Sequence, residues 1–122
     1  MLIKNVKIIG ENEITDGFVR TENGKITEVG KTAREAENEE VIDGNGKYLS
    51  PGFIDLHVHG GGGYSAMGTP EDIVKMATAH MNYGTTSILP TTLAAPIAQL
   101  KTALLNIKEA QRICKTSNIL GA

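Results

Sequence analysis

Apolar positions change their spacing near residue 50, and this change divides the chain into two parts. Before it, apolar residues tend to alternate with polar ones in short runs, a pattern typical of strands with one buried face. The dipeptide Asn23-Gly24 predicts a tight hairpin, because both residues tolerate the positive φ of a type I′ turn. The charged segment 31–40 predicts a loop or a frayed helix. The predicted strands, which we expect to be antiparallel, are 2–9, 17–22, 25–30, 40–43 and 47–49.

After residue 50 the pattern alternates between strand and helix. Residues 53–59 predict a strand, and Thr69-Pro70-Glu71-Asp72 predicts a helix start, since Thr can cap and Pro suits the first helical position. That helix is expected to stop near Gly84. A strand over Thr85–Leu89, a helix from Pro96 and a strand from Asn118 complete the series. The apolar stripe predicted for the second helix is Leu100, Leu104, Ile107, Gln111 and Cys114.

This order of elements predicts a parallel sheet, which must be covered on both faces. Two helices and three strands cannot provide that cover. A closed eight-fold α/β barrel needs roughly 200 residues or more, whereas this chain has 122. The sequence therefore predicts either the front portion of a larger fold or a chain that associates with other copies.

Composition excludes several classes of function. The net charge of −2 leaves no basic footprint for nucleic acid. A single cysteine, Cys114, excludes an internal disulfide and favours a reducing compartment. The N-terminus is interrupted by charge and lacks the pattern of a signal peptide, and no apolar run is long enough for a membrane span. We therefore expect a cytoplasmic protein with no membrane or nucleic-acid partner.

Candidate chemistry is concentrated in the strand over 53–59. Alternation predicts that Ile54, Leu56 and Val58 pack under helices on one face. The opposite face carries Phe53, Asp55, His57 and His59. Two imidazoles on one face at this spacing can bind a single metal ion. The alternative for His57 and His59 is a chance pair that binds nothing.

Residues on either side of the histidines extend the candidate site. Asp55 is expected to anchor a histidine or the neighbouring backbone, as residues that support metal ligands do; the alternative is a carboxylate on solvent. Glycines fill positions 60–63. Gly60, Gly61 and Gly62 are candidates for a loop whose backbone approaches a substrate or offers N–H groups to an anion. His80 lies in a helical pattern and is predicted to cap, pack or face solvent rather than bind metal.

The segment PGFIDLHVHG resembles the opening metal motif of the amidohydrolase superfamily of metal-dependent hydrolases. HVHGGGG, GTPED and HMNYGTTSILPTT are similar, more narrowly, to the N-acetylglucosamine-6-phosphate deacetylase family. The resemblance implies an α/β fold: residues 1–50 form a small β-sandwich segment, and residues 51–122 form the first strands and helices of an incomplete (β/α)₈ barrel. One departure is YSAMG at 64–68, where the family usually has an acidic residue.

The same resemblance implies hydrolysis of the acetamide of N-acetylglucosamine 6-phosphate, giving glucosamine 6-phosphate and acetate. His57 and His59 match ligands of a divalent metal ion, zinc, iron or a similar cation. The family's later ligands and its catalytic aspartate have no counterpart here, so no catalytic residue is assigned in this chain and the isolated chain is expected to be inactive. Family members bind a phosphorylated amino sugar and are usually homo-oligomers.

One alternative function is set aside and two stay open. HGGG at 59–62 matches an esterase oxyanion loop, but the G-x-S-x-G motif that a serine esterase needs is missing. A non-catalytic fragment that self-associates is a second possibility, because an open sheet exposes edges and apolar surface. Another amidohydrolase, such as a dihydroorotase-like or D-aminoacylase-like enzyme, is a third.

Overall fold

Short strands of the N-terminal half pair into one sheet in the computed structural model, which describes residues 1–122. The strands are β1 (Leu2–Ile9), β2 (Ile14–Glu22), β3 (Lys25–Gly30), β4 (Val41–Asp43) and β5 (Tyr48–Leu49). The sheet order is β3-β2-β1-β4, and β5 also pairs with β1. Met1–Pro51 forms one compact unit and Gly52–Ala122 forms another. A small core in the first unit contains Leu2, Val6, Phe18 and Val19.

The predicted hairpin between β2 and β3 is confirmed. Asn23 and Gly24 have φ values of 50° and 73°, as a type I′ turn requires. The expectation of antiparallel pairing throughout is wrong, because β4 and β5 both run parallel to β1. The turn between β4 and β5 lies against a bulge at Asn5, whose φ is 54°. The N–H groups of Gly44 and Gly46 donate there to the carbonyls of Lys4 and Asn5, at 2.8 and 2.7 Å.

The segment 31–40 forms a loop rather than a helix, and Arg20 holds it in place. The guanidinium Nε donates to Glu39 Oε1 at 2.7 Å, and an Nη donates to the carbonyl of Arg34 at 2.6 Å. Arg20 also forms an ion pair with Glu28 on β3. The hydrogen bond from Arg20 lowers the pKa of Glu39, and the same bond raises the pKa of Arg20. A charged cluster therefore ties this loop to the sheet.

Acid is expected to weaken the first unit through Glu39. Because its pKa in the folded chain lies below the ordinary value of 4.5, the unfolded chain takes up the proton more readily. The resulting stabilisation is present above pH 4.5 and is lost as the pH falls through the folded-state pKa. Urea unfolding at a series of acidic pH values should show a shallower pH dependence for Glu39→Gln than for the parent chain. Glu37→Gln, an exposed carboxylate of the same loop, is the control and should retain the parent slope.

The second unit contains a parallel sheet with two helices and a short hairpin. Its elements are β6 (Phe53–Val58), β7 (Gly60–Gly61), β8 (Tyr64–Ser65), α1 (Pro70–Met81), β9 (Thr85–Pro90), α2 (Ile97–Ile113) and β10 (Asn118–Ile119). The sheet order is β10-β9-β6 with parallel pairing, as the strand–helix alternation predicted. The hairpin of β7 and β8 was not predicted. Neither helix is long and apolar enough to cross a lipid bilayer.

Both helices begin where the sequence predicted, within one residue. Thr69 and Asp72 form a capping box at α1, in which each side chain accepts the other's backbone N–H at 3.2 Å. The stripe predicted for α2 is partly wrong. Ala103, Ile107 and Ala110 are its buried residues, whereas Leu104 and Gln111 are exposed. Small alanines allow close approach to the core, so the buried face is rotated from the one that large apolar residues suggested.

The core of this unit lies where the helices cover β9. Ile88 is 0% exposed, and Val58, Ile73, Met76 and Ile107 surround it in one apolar cluster. The expectation that Ile54 and Leu56 pack under helices is wrong, since they are 63% and 64% exposed. β6 is an edge strand, and α1 and α2 pack against β9 and β10 instead. Val58, at the end of β6, is the one member of the predicted apolar face that is buried.

Candidate metal centre

The imidazoles of His57 and His59 converge at the carboxyl end of β6. Their Nε2 atoms are 3.0 Å apart, and the ring planes meet at 75° with centroids separated by 4.8 Å. Both side chains are exposed to solvent. The structure thus brings the two predicted ligands together with their ring nitrogens facing one point.

A bulge in β6 explains how the rings meet. Asp55 pairs with Ile88 of β9 while Val58 pairs with Pro90, so β6 contains one extra residue between these pairs. Such bulges re-aim side chains and leave a backbone group out of the ladder. The N–H of His57 donates to Asp55 Oδ1 at 3.0 Å. Asp55 therefore stabilises the backbone of the bulge, and it supports the histidines without contacting their rings in the structure.

The end of β9 orients His59. The N–H of Thr91 donates to the carbonyl of Val58 at 2.8 Å, which continues the pairing of β6 and β9 past the bulge. The carbonyl of Thr91 lies 2.9 Å from His59 Nδ1. Because a carbonyl only accepts, Nδ1 carries the proton of the neutral ring and Nε2 keeps its lone pair. This second contact is the one that commonly fixes the tautomer of a metal-binding histidine.

The spacing of the two Nε2 atoms fits a divalent cation. With metal–nitrogen distances of about 2.0–2.1 Å, ligand atoms 3.0 Å apart subtend an angle of roughly 90–100°. This nitrogen–metal–nitrogen angle lies between the octahedral and tetrahedral values. The unprotonated Nε2 of His59 supplies one lone pair for the metal. Without a cation, the same tautomer of His59 requires His57 Nε2–H to donate across the gap. The donor set is therefore suitable for a metal ion but can also form an internal hydrogen bond.

A third protein ligand is absent from this chain. No cluster of three or more His, Cys, Asp or Glu side chains could hold a metal ion. His80 lies elsewhere, on α1, where its Nε2 is 3.1 Å from the carbonyl of Gly60. Catalytic zinc sites usually have three protein ligands and one open position. By themselves, His57 and His59 therefore provide fewer ligands than a catalytic zinc site uses.

Each glycine after the histidines has a local reason in the structure, either a positive φ or a close contact. Gly62 and Gly63 have φ values of 60° and 84° and form the turn between β7 and β8. A Cβ at Gly60 would lie 2.7 Å from the carbonyl oxygen of Tyr64. A Cβ at Gly61 would overlap Nε2 of His80. The backbone of this loop closely approaches its own chain at Gly60 and Gly61.

Sequence reasoning missed two parts of the site. Thr91 acts through its carbonyl, so no side-chain pattern could reveal it. The hairpin of β7 and β8 could have been found, because a Gly-Gly dipeptide such as Gly62-Gly63 favours a two-residue I′ turn. Its flanking strands are only two residues long, too short for an alternation pattern.

Comparison with known proteins gives a partial likeness. No protein-family model matches the chain. The N-acetylglucosamine-6-phosphate deacetylase of Bacillus subtilis (strain 168) is 34% identical over 125 residues, which is 100% of this chain and 31% of that protein. The dihydroorotase of Enterococcus faecalis (strain ATCC 700802 / V583) is 46% identical over 59 residues, 48% of this chain and 14% of that protein.

A solved structure supports the first of these likenesses. The crystal structure of N-acetylglucosamine-6-phosphate deacetylase from Pasteurella multocida has a TM-score of 0.78 and 29% identity, and the match covers 95% of this chain and 31% of that chain. The resemblance to the deacetylase family is therefore confirmed across nearly the whole chain. In sequence and in fold, the chain is similar to an N-terminal portion of the N-acetylglucosamine-6-phosphate deacetylases, and it spans 31% of the length of these two relatives.

Proposed function

We propose that this chain is the N-terminal part of a metal-dependent amidohydrolase that deacetylates N-acetylglucosamine 6-phosphate. The convergence of the His57 and His59 Nε2 atoms, 3.0 Å apart, is the observation that carries this proposal. The likeness to deacetylases over the whole chain supports the choice of substrate. The phosphorylated amino sugar would be the substrate of the whole protein, which we expect to be a homo-oligomer.

The position of the histidines in the fold also supports this proposal. We infer that the sheet of Met1–Pro51 is a β-sandwich segment and that Gly52–Ala122 forms the first units of a (β/α)₈ barrel. In such barrels the active site lies at the carboxyl ends of the strands. His57 is the penultimate residue of β6, His59 directly follows that strand, and Thr91 directly follows β9. The candidate ligands and the group that orients them thus lie on the edge where barrel chemistry is located.

Residues of this chain would hold the metal ion and orient its ligands. None of them would act as the catalytic acid or base. His57 and His59 would bind a divalent cation such as zinc or iron, and Asp55 would keep the bulge that aims them. When bound, the cation supplies Lewis acidity, which activates water near neutral pH and polarises a carbonyl. Gly60, Gly61 and Gly62 would present backbone at the edge of the site. With two ligands and no general base, the isolated chain should not turn over substrate.

A second candidate activity has a specific observation in its favour. The dihydroorotase of Enterococcus faecalis has higher identity, 46%, although the match spans only 59 residues. The whole protein would then be a dihydroorotase-like member of the amidohydrolase superfamily. We favour the deacetylase because its match extends over 100% of this chain. A fragment that self-associates through the exposed edge of β6 would be the non-catalytic alternative.

A chimera tests whether this chain can serve as the N-terminal part of a deacetylase. The 122 residues would replace the matched segment of the Bacillus subtilis deacetylase, and acetate release from N-acetylglucosamine 6-phosphate would be measured with Zn²⁺ present. We expect metal-dependent acetate release, and its loss in the chimera carrying His59→Ala. The isolated chain is expected to release none.

Folding of the chimera is checked separately by circular dichroism and by its thermal transition. A folded chimera that releases no acetate, while the unaltered Bacillus subtilis deacetylase does, would contradict the deacetylase proposal and favour the second candidate. A folded chimera whose acetate release survives His59→Ala would contradict the proposed role of the histidine pair.

A further inference from the structure

His80 contacts the loop that follows the candidate ligands. It lies near the end of α1, and its Nε2 is 3.1 Å from the carbonyl oxygen of Gly60. Since the carbonyl only accepts, Nε2 of His80 carries the proton and donates. The imidazole is half-buried over Gly61, where any Cβ would overlap it. Helix α1 is thereby attached to the residue directly after His59.

The hairpin of β7 and β8 connects the His80 contact to the backbone of His59. Gly60 pairs with Ser65, and Gly61 pairs with Tyr64. The N–H of Ala66, which follows the hairpin and is fully buried, donates to the carbonyl of His59 at 2.8 Å. His59 is therefore held on two sides, by the end of the hairpin through its own carbonyl and by Thr91 through its ring. His80 closes the hairpin against α1.

Apart from the buried Ala66 at its end, the hairpin is joined to α1 by few contacts. It has only two pairs of residues, and isolated hairpins of this size are not stable in water. Besides the His80 bond, α1 meets the hairpin at Ala79, whose Cβ would lie 2.6 Å from a Cβ at Gly62. The helix also meets it at Lys75, whose Nζ lies 5.1 Å from the centre of the exposed Tyr64 ring. An exposed cation–π contact contributes little. The hydrogen bond from His80 is thus the directional link between the helix and this loop.

We propose that His80 is a positioning residue of the metal centre: its Nε2–H bond to Gly60 fixes the hairpin of residues 60–65 and, through it, the backbone and ring orientation of His59. The relevance of this orientation to metal binding rests on the proposed function. His80 itself touches neither the cation site nor the ring of His59.

The test compares three variants of the full chain. His80→Ala removes the donor, and His80→Gln retains an N–H donor on a side chain of similar reach. Thr78→Val is the matched control, because it removes a 2.8 Å hydrogen bond to Thr116 from the same helix and leaves the hairpin contact intact. Amide exchange of Ala66 and the ring ¹⁵N shifts of His59 are measured by NMR at alkaline pH without metal. Zn²⁺ affinity is then measured from the His57 and His59 ring signals.

We expect His80→Ala to speed exchange of the Ala66 amide about tenfold, the effect of losing one hydrogen bond. The His59 ring shifts should move from those of the Nδ1–H tautomer toward a mixture of tautomers. Zn²⁺ affinity should fall by about threefold to tenfold, at or below the range known for residues that support metal ligands. His80→Gln and Thr78→Val should both stay within about twofold of the parent chain.

Two results would overturn the proposal. One is parent-like exchange and ring shifts in His80→Ala. The other is an equal change in Thr78→Val, since that would reduce His80 to general stabilisation of α1. If the parent chain itself binds no Zn²⁺ at His57 and His59, the proposed metal role fails. The metal-free exchange and ring shifts still decide the role of His80.

Discussion

His59→Ala is expected to abolish measurable Zn²⁺ binding at the candidate metal centre, weakening it by more than about 100-fold. The two Nε2 atoms are held 3.0 Å apart before any cation arrives, so both ligands bind without further ordering of the chain. Removal of one leaves a single exposed imidazole with the affinity of an ordinary surface histidine. Loss of a residue that merely supports a ligand costs about 10–100-fold, and loss of a ligand itself should cost more.

Isothermal titration of the chain with Zn²⁺, followed in parallel by the ring signals of the histidines, measures this effect. Thr91→Ala is the matched control, because the contact to His59 is made by the main-chain carbonyl and not by the hydroxyl. Its affinity should remain within about twofold of the parent value. Undiminished binding in His59→Ala would place the cation elsewhere on the chain and remove the chemical basis of the proposed hydrolase.

Ile88→Ala is expected to cost the second unit about 2–5 kcal/mol of unfolding free energy, the range for large-to-small changes in a core. Ile88 is 0% exposed on the central strand β9, with β6 and β10 on either side and the helices above it. Few other elements can move in to fill the space. A loss of this size is a large part of the stability of a small domain.

Urea denaturation, monitored by helical circular dichroism, provides the free energy of unfolding. Leu105→Ala is the control, because Leu105 is 68% exposed and surface changes usually stay within about 0.5 kcal/mol. If both variants lose the same stability, Ile88 does not occupy the centre of the core. A loss confined to Ile88→Ala would support the packing described for β9.

Local rules predicted most elements of the fold. The turn at Asn23-Gly24 and the capping box at Thr69 depend on a few adjacent residues, so their sequence is sufficient to place them. Alternation in 53–59 likewise predicted that His57 and His59 share a face. Their convergence to 3.0 Å needed the bulge, which depends on how β6 pairs with β9.

Features that depend on contacts between distant parts of the chain were harder to predict from the sequence. The parallel course of β4 and β5 beside β1 requires the loop 31–40 to return the chain to the start of the sheet, which no short pattern encodes. Ile54 and Leu56 have the apolar character of buried residues, yet the helices cover another strand. Burial reflects neighbours that are distant in sequence, and apolar spacing describes only the strand itself.

Orientation of His59 by the main chain has a consequence for how the sequence can vary. The Thr91 carbonyl is present whatever side chain occupies that position, so the requirement is for a backbone path rather than an amino-acid type. Proteins that share this architecture can therefore have any residue except proline at position 91, because proline could not donate to the Val58 carbonyl, and still keep the same histidine geometry. Comparison of side chains alone would overlook the equivalence, and superposition of carbonyl oxygens would reveal it.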